Sequence, residues 1–95
     1  MRVLPRNQDN QLRVEVRIYG EEYIVKGNTT REHIEKIAQQ VDQKMVQIAH
    51  RNPHLSQAKV AVLTALNLAD ELNHLQEDYD NLIKLLEDEK PADEV

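Results

Sequence analysis

The chain has 95 residues, no cysteine and only three aromatic residues, all tyrosine, so its core must be built from aliphatic side chains. So small a chain is marginally stable alone, and without disulfides the remaining common source of stability is oligomerisation. Its net charge of −5 and its lack of Phe and Trp argue against binding to nucleic acid, which needs cations that neutralise phosphate and often stacking rings.

The first residues predict a flexible, polar N-terminus over residues 1–11 without the apolar core of a signal peptide. No later stretch approaches the roughly 20 apolar residues that a membrane-spanning helix needs. Together with the absence of cysteine, which suits a reducing compartment, these features predict a cytoplasmic protein that does not contact a membrane.

Residues 12–27 are expected to form a β-hairpin, because apolar and polar residues alternate from Leu12 to Tyr19. A type II′ turn at Gly20 and Glu21, in which glycine supplies the positive φ, would join the strands. The register that this turn predicts pairs Ile18 with Tyr23, Val16 with Val25 and Glu15 with Lys26. A two-stranded hairpin is marginal alone, so another element must cover its apolar face.

A helix over residues 30–51 is predicted to supply this cover. Thr29 and Glu32 have the spacing of a capping box, and Pro53 disfavours helical geometry in the residue before it. Apolar residues recur at helical spacing along one stripe, namely Ile34, Ile37, Ala38, Val41, Met45 and Ile48. The hairpin and this helix would form a head over residues 12–54.

Residues 55–88 predict a long helix, with Ser56 as its N-cap and no Gly or Pro before Pro91. At about 1.5 Å of rise per residue this helix would span roughly 50 Å, so it must project beyond a small head. The predicted fold class is therefore α+β, a small hairpin-and-helix head followed by a long coiled-coil helix. From Val60 to Leu72 apolar residues occur all round the helix, which predicts a buried segment.

Further along the long helix, apolar residues follow alternating steps of three and four, the spacing of a coiled coil. They are Ala65, Leu68, Leu72, Leu75, Tyr79, Leu82 and Leu86. Ile83 and Leu85 flank this row where a simple dimer usually has charges, which favours an assembly larger than a dimer. We expect these nine residues to mediate self-association as a homodimer or homotetramer. The alternative is a helix that folds back onto its own head.

Charge is divided unevenly along the chain. Residues 1–54 carry nine Lys or Arg against seven Asp or Glu, which gives +2, while residues 55–95 carry three against ten, which gives −7. The last part, residues 89–95, is acidic and contains Pro91, so it is predicted to be a disordered tail. The charges that flank the apolar row do not decide between parallel and antiparallel pairing of the helices.

Residue types that support catalysis are scarce. The single serine already serves as a helix cap, there is no cysteine, and two glycines cannot form a phosphate-binding loop. His50 and His54 have the spacing of zinc ligands on a helix, but Pro53 interrupts that helix. We expect no enzymatic activity, no cofactor, no metal and no small-molecule substrate.

Two segments, VRIYGEEYIVKG at residues 16–27 and NPHLSQAKVAVLTALNLADEL at residues 52–72, resemble the ZapA family of bacterial cell-division factors. The resemblance covers about residues 12–88 in the order hairpin, helix, loop and long helix. It implies binding to FtsZ, the tubulin-like GTPase of the division ring at mid-cell, and cross-linking of FtsZ protofilaments into bundles. The short heptad row looks like the shorter type from Gram-positive bacteria.

The resemblance also suggests where FtsZ would bind. FtsZ is expected to be acidic, so the outward cations of the head are the candidate contacts. They are Arg13, Arg17 and Lys26 on the hairpin, with Lys44 and Arg51 on the first helix. The alternative functions are a DNA-binding dimerisation module of antitoxin type, and an adaptor or enzyme subunit of an unrelated complex.

Overall fold

The computed structural model describes residues 12–88, in which a hairpin is followed by two helices. Strands β1 (Leu12–Ile18) and β2 (Glu21–Gly27) form an antiparallel two-stranded sheet, and helices α1 (Arg31–Arg51) and α2 (Gln57–Asp88) follow. This architecture confirms the predicted α+β class. The expectations for residues 1–11 and 89–95 lie outside the described residues.

The turn of the hairpin is formed by Tyr19 and Gly20, so the prediction of a type II′ turn one residue later is wrong. Both residues have positive φ, 51° and 82°, which is the pattern of a type I′ turn. The backbone N–H of Tyr19 donates to the Asp42 carboxylate on α1 over 2.7 Å. This hydrogen bond offsets part of the cost of a left-handed conformation in a residue that has a Cβ.

The strand register differs from the predicted one by two residues. The observed pairs are Ile18 with Glu21, Arg17 with Glu22, Val16 with Tyr23, Glu15 with Ile24, Val14 with Val25 and Arg13 with Lys26. The predicted pairs Ile18 with Tyr23, Val16 with Val25 and Glu15 with Lys26 are therefore wrong. Because side chains alternate with a period of two, this shift leaves every residue on its predicted face.

The buried core lies where α1 crosses the hairpin and the start of α2. One cluster joins Val14 and Val16 of β1 to Ile34 and Ala38 of α1, which confirms α1 as the cover of the hairpin. A second cluster contains three buried side chains, Met45, Ile48 and Val60, and links the two helices. Ile37, predicted to lie in the same apolar stripe, is exposed at its edge.

Each helix begins at a hydroxyl cap. The Thr30 hydroxyl accepts from the backbone N–H of His33 over 3.1 Å, so the cap of α1 is Thr30 and the predicted capping box at Thr29 is wrong. Ser56 caps α2 as predicted, accepting from the N–H of Lys59 over 3.2 Å. The loop between the helices ends at the Ser56 cap, and after it the first part of α2 packs against α1.

Helix α2 projects from the head, and the described residues extend over 60 × 44 × 21 Å. Its buried side chains are Val60 and Thr64, both near its start. The predicted buried segment from Val60 to Leu72 is wrong for a single chain, because Val62 and Leu66 are more than half exposed. The first part of α2 runs along α1, but every residue from Glu71 to Asp88 is exposed, so this distal part does not pack against the head.

Candidate functional site

An exposed apolar edge runs along α2. Leu72, Leu75 and Tyr79 each expose about 60% or more of their surface, with Leu75 at 66%. Steps of three and four residues return to nearly the same side of a helix, so these side chains form one continuous row. We call the row the seam. It comprises Ala65, Leu68, Leu72, Leu75, Tyr79, Leu82 and Leu86.

The seam widens towards the distal end of α2. Leu85 is 60% exposed and Ile83 is 36% exposed, and they lie on opposite flanks of the seam. At the proximal end the seam narrows, since Leu68 is half-buried beside Lys44 and Gln47 of α1. The structure thus brings all nine predicted self-association residues onto one edge of the helix. Their role in an interface stays a prediction.

Leaving this edge in water is costly. Full burial of one Leu or Tyr-sized apolar side chain contributes about 1.5 to 3 kcal/mol, and the seam holds several such side chains with no cover from the head. Soluble proteins rarely expose a contiguous apolar strip of this kind unless it binds something. The arrangement is that of an association surface.

The predicted cations of the hairpin share its outward face. Arg13 lies directly opposite Lys26 on the neighbouring strand, and like charges in that arrangement destabilise a sheet. In the part of the chain that the structure describes, neither residue belongs to an ion pair. Their uncompensated charge makes this corner of the sheet attractive to an anionic partner.

The other three predicted cations have different surroundings. Arg17 lies 4.0 Å from the Glu22 carboxylate, in a solvent-exposed pair. The Lys44 ammonium hydrogen-bonds to Glu71 of α2, and its side chain is only 21% exposed, so it joins the two helices. Arg51 is exposed in the last turn of α1, where a cation complements the helix dipole.

One further residue of the outward face was not among the predicted contacts. Ile24 lies opposite Glu15, between the pair formed by Arg13 and Lys26 and the pair formed by Arg17 and Glu22, and it is 60% exposed. An apolar side chain surrounded by charges is the usual composition of a binding patch centre. The signal was present in the sequence, because Ile24 interrupts a row of polar residues on the outward side of the strands.

A second surface that sequence reasoning missed is a groove between the hairpin and the first turns of α2. It has a volume of about 840 Å³, and apolar side chains form most of its lining. The lining residues are Ile18, Tyr23, Ile24, Val25, Met45, Gln57, Ala58 and Ala61. We call it the head groove.

Residues 12–88 offer neither a metal site nor a membrane span. Groups of three or more His, Cys, Asp or Glu side chains that could hold a metal ion do not occur there. His50 is in the last turn of α1 and His54 lies in the loop after it, both exposed. Neither α1 nor α2 combines the length and the apolar character that a bilayer-crossing helix requires.

Comparisons with known proteins agree with one another. The model of the family described as Cell division protein ZapA matches residues 14–93. A curated protein with that name from Geobacillus thermodenitrificans is 45% identical over 82 residues, which cover 86% of this chain and 90% of the relative. Its counterpart from Bacillus mycoides is 35% identical, covering 83% of this chain and 89% of its own length.

Two solved structures also match. One is described as a ZapA mutant dimer from Geobacillus stearothermophilus and has a TM-score of 0.64 at 40% identity, covering 81% of this chain and 90% of that chain. The other is an unknown conserved bacterial protein from Pseudomonas aeruginosa PAO1, with a TM-score of 0.66 at 28% identity, covering 81% of this chain and 86% of that chain. The hairpin, the first helix and the long helix thus recur in both.

Proposed function

The chain belongs to the ZapA family of cell division proteins, and from this premise we propose that it binds FtsZ and cross-links FtsZ protofilaments into bundles. In this proposal the protein acts at the mid-cell division ring as a non-enzymatic regulator, without cofactor or metal. A cross-linker needs two properties, association with its own copies and a surface that holds the filament. Different elements of this chain offer them.

The observation that carries the proposal is the exposed seam on a helix that projects from the head. Exposure of Leu72, Leu75 and Tyr79 to water is unfavourable, because the hydrophobic effect favours their burial. Pairing with the seam of another copy would bury them. The Geobacillus stearothermophilus relative is described as a dimer. We propose a homodimer built on the seam, with Ile83 and Leu85 allowing dimers to join into a homotetramer.

The head supplies the filament contact in this proposal. Arg13 and Lys26 present uncompensated positive charge, and Ile24 adds an apolar centre beside them. FtsZ is expected to be acidic, so charge complementarity would favour this face. A contact that is weak for one head becomes effective when an oligomer presents several heads to a polymer with repeated sites.

Sedimentation of FtsZ polymers tests the proposal. We expect the protein to pellet with FtsZ and to increase the mass of bundles. Leu75→Glu, which places a charge in the seam, should nearly abolish bundling and should also weaken pelleting, because single heads lose the gain from repeated contacts although the contact surface of each head is unchanged. The matched control is Asn73→Glu, which places the same charge on the exposed opposite side of α2 and should bundle normally.

Three results would contradict parts of the proposal. Protein that stays in the supernatant with FtsZ polymers would exclude the FtsZ contact. Retarded migration of duplex DNA at physiological salt would favour the alternative of a DNA-binding dimerisation module. Equal bundling by Leu75→Glu and by the unmodified chain would remove the seam from the mechanism.

A further inference from the structure

Within residues 12–88, the inner face of the hairpin is covered more fully on β1 than on β2. Val14 and Val16 of β1 are buried against α1, which packs mainly on that strand. On β2 the corresponding positions are Tyr23, which is 47% exposed, and Val25, which is partly buried. Within residues 12–88, the β2 side of this apolar face is therefore only partly covered, although a two-stranded sheet depends on its cover for stability.

This partly covered side forms one wall of the head groove. Met45 and the first turns of α2, at Ala58 and Ala61, form the rest of its apolar lining, and Gln57 is the one polar residue among those that line it. A small-molecule site usually adds several convergent polar groups that fix the orientation of the ligand. The lining thus fits an apolar helix or strand better than it fits a metabolite.

The head groove is continuous with the seam. Ala58 and Ala61 precede Ala65 at steps of three and four, so they extend the same heptad positions into the groove. An α-helix drifts by only about 20° per heptad from this repeat, so the alanines face nearly the same side as the leucines that follow. Alanine at these positions allows another helix to approach closely, since interaxial distance depends on the side chains at the contact.

We propose that the long helix of a second copy of this chain occupies the head groove and covers Tyr23 and Val25. This inference rests on the proposed self-association and extends its surface from the projecting helix into the head. The head is then part of the oligomer core, and assembly completes the cover of the hairpin's inner face. Arg13 and Lys26 of the outward face are not among the residues that line the groove and stay free, whereas Ile24 borders both the outward face and the groove.

Site-specific photo-cross-linking tests the inference directly. A benzoylphenylalanine at Tyr23 replaces one aromatic side chain by another, and a mixture of ¹⁵N-labelled and unlabelled protein separates links between chains from links within a chain. We expect a link between chains that maps to residues 57–88 of the second copy. The same probe at the neighbouring Glu22, on the outward face, should give none. Links from Tyr23 only within one chain, including to its own N-terminus, would overturn the inference.

Solution mass separates this inference from the proposal on which it rests. By light scattering we expect Tyr23→Glu to reduce the oligomer to smaller particles, as Leu75→Glu does, while Glu15→Lys on the outward face leaves the mass unchanged. Loss of mass in Leu75→Glu but not in Tyr23→Glu would overturn the role of the groove and keep the seam. Unchanged mass in both would overturn self-association through the seam, and the groove proposal with it.

Discussion

At the scale of single residues, the turn at Tyr19 shows how a distant side chain decides local geometry. Tyr19 adopts a positive φ that tyrosine seldom takes, and its N–H donates to Asp42, which is 23 residues away in sequence. Short-range turn rules favoured glycine as the first turn residue. They consider only neighbouring residues, so they do not take account of a hydrogen-bond acceptor such as Asp42 on a helix later in the chain. This is why the sequence predicted the hairpin but not its register.

The Asp42 contact gives the first prediction. Asp42→Ala should lower the free energy of unfolding by about 1 to 2 kcal/mol, because a partly buried N–H loses its acceptor. Urea denaturation measures this change. Asp42→Asn keeps a side-chain oxygen that can accept and should retain most of the stability, and equal stability of the Ala variant and the unmodified chain would show that the turn does not depend on Asp42.

The outward cations give a second prediction, in which stability and binding change in opposite directions. Lys26→Glu should raise the free energy of unfolding by about 0.2 to 1 kcal/mol, because it turns a like-charge pair with Arg13 into an attractive one. The same change should weaken pelleting with FtsZ severalfold, since it removes a proposed contact.

The control for this variant is Lys36→Glu, which makes the same change in net charge on an exposed site of α1. It should affect pelleting far less than Lys26→Glu does. Equal loss in the two variants would mean that total charge, rather than the outward face of the hairpin, governs the contact.

At the scale of elements, sequence patterns predicted which strands and helices form and which of their faces pack together within one chain. The alternation in β1 and the stripe in α1 predicted the strands, the helix and their mutual packing. The prediction that the segment from Val60 to Leu72 is buried was wrong, because this chain does not cover most of its apolar residues and Leu66 remains 62% exposed. Hydrophobicity indicates that a side chain will be covered, but not by which molecule.

Some parts of the candidate site could likewise be predicted from the sequence, and others could not. The seam follows from residue spacing, so the sequence alone was enough to assign all nine predicted self-association residues to one edge of a helix. Lys44 could not be judged, because its ion pair with Glu71 joins residues 27 apart and depends on how the helices cross. The groove was missed because Ala58 and Ala61 are too small to stand out in a hydrophobic pattern.

The wide distal end of α2 gives an element-scale prediction. Leu85→Glu should convert tetramers to dimers while the dimer persists, because Leu85 flanks the seam rather than lying within it. Analytical ultracentrifugation over a range of concentrations measures the change. Lys84→Glu, one residue away and outside the apolar edge, is the matched control, and a shift to monomers in Leu85→Glu would place this residue in the dimer contact itself.

At the scale of the whole molecule, the two surfaces differ in physical character, which leads to a prediction about salt. Raising ionic strength from about 0.05 M to about 0.5 M shortens the Debye length severalfold and should strongly reduce pelleting with FtsZ, which depends on exposed cations. Self-association through apolar side chains should persist over that range.

Parallel measurements of pelleting and of light-scattering mass in the same buffers check this prediction. The expected outcome is a decline in pelleting at constant mass. A decline in mass that accompanies the decline in pelleting would show that ionic contacts hold the oligomer together.

The uninterrupted course of α2 has a mechanical consequence for the proposed bundles. From Gln57 to Asp88 the helix contains neither glycine nor proline, so it behaves as a stiff strut rather than as a flexible tether. A flexible tether would allow the distance between neighbouring filaments to vary, whereas rigid connectors of one length would keep that distance constant. The spacing between neighbouring filaments would then be set by the length of the helices that connect the heads.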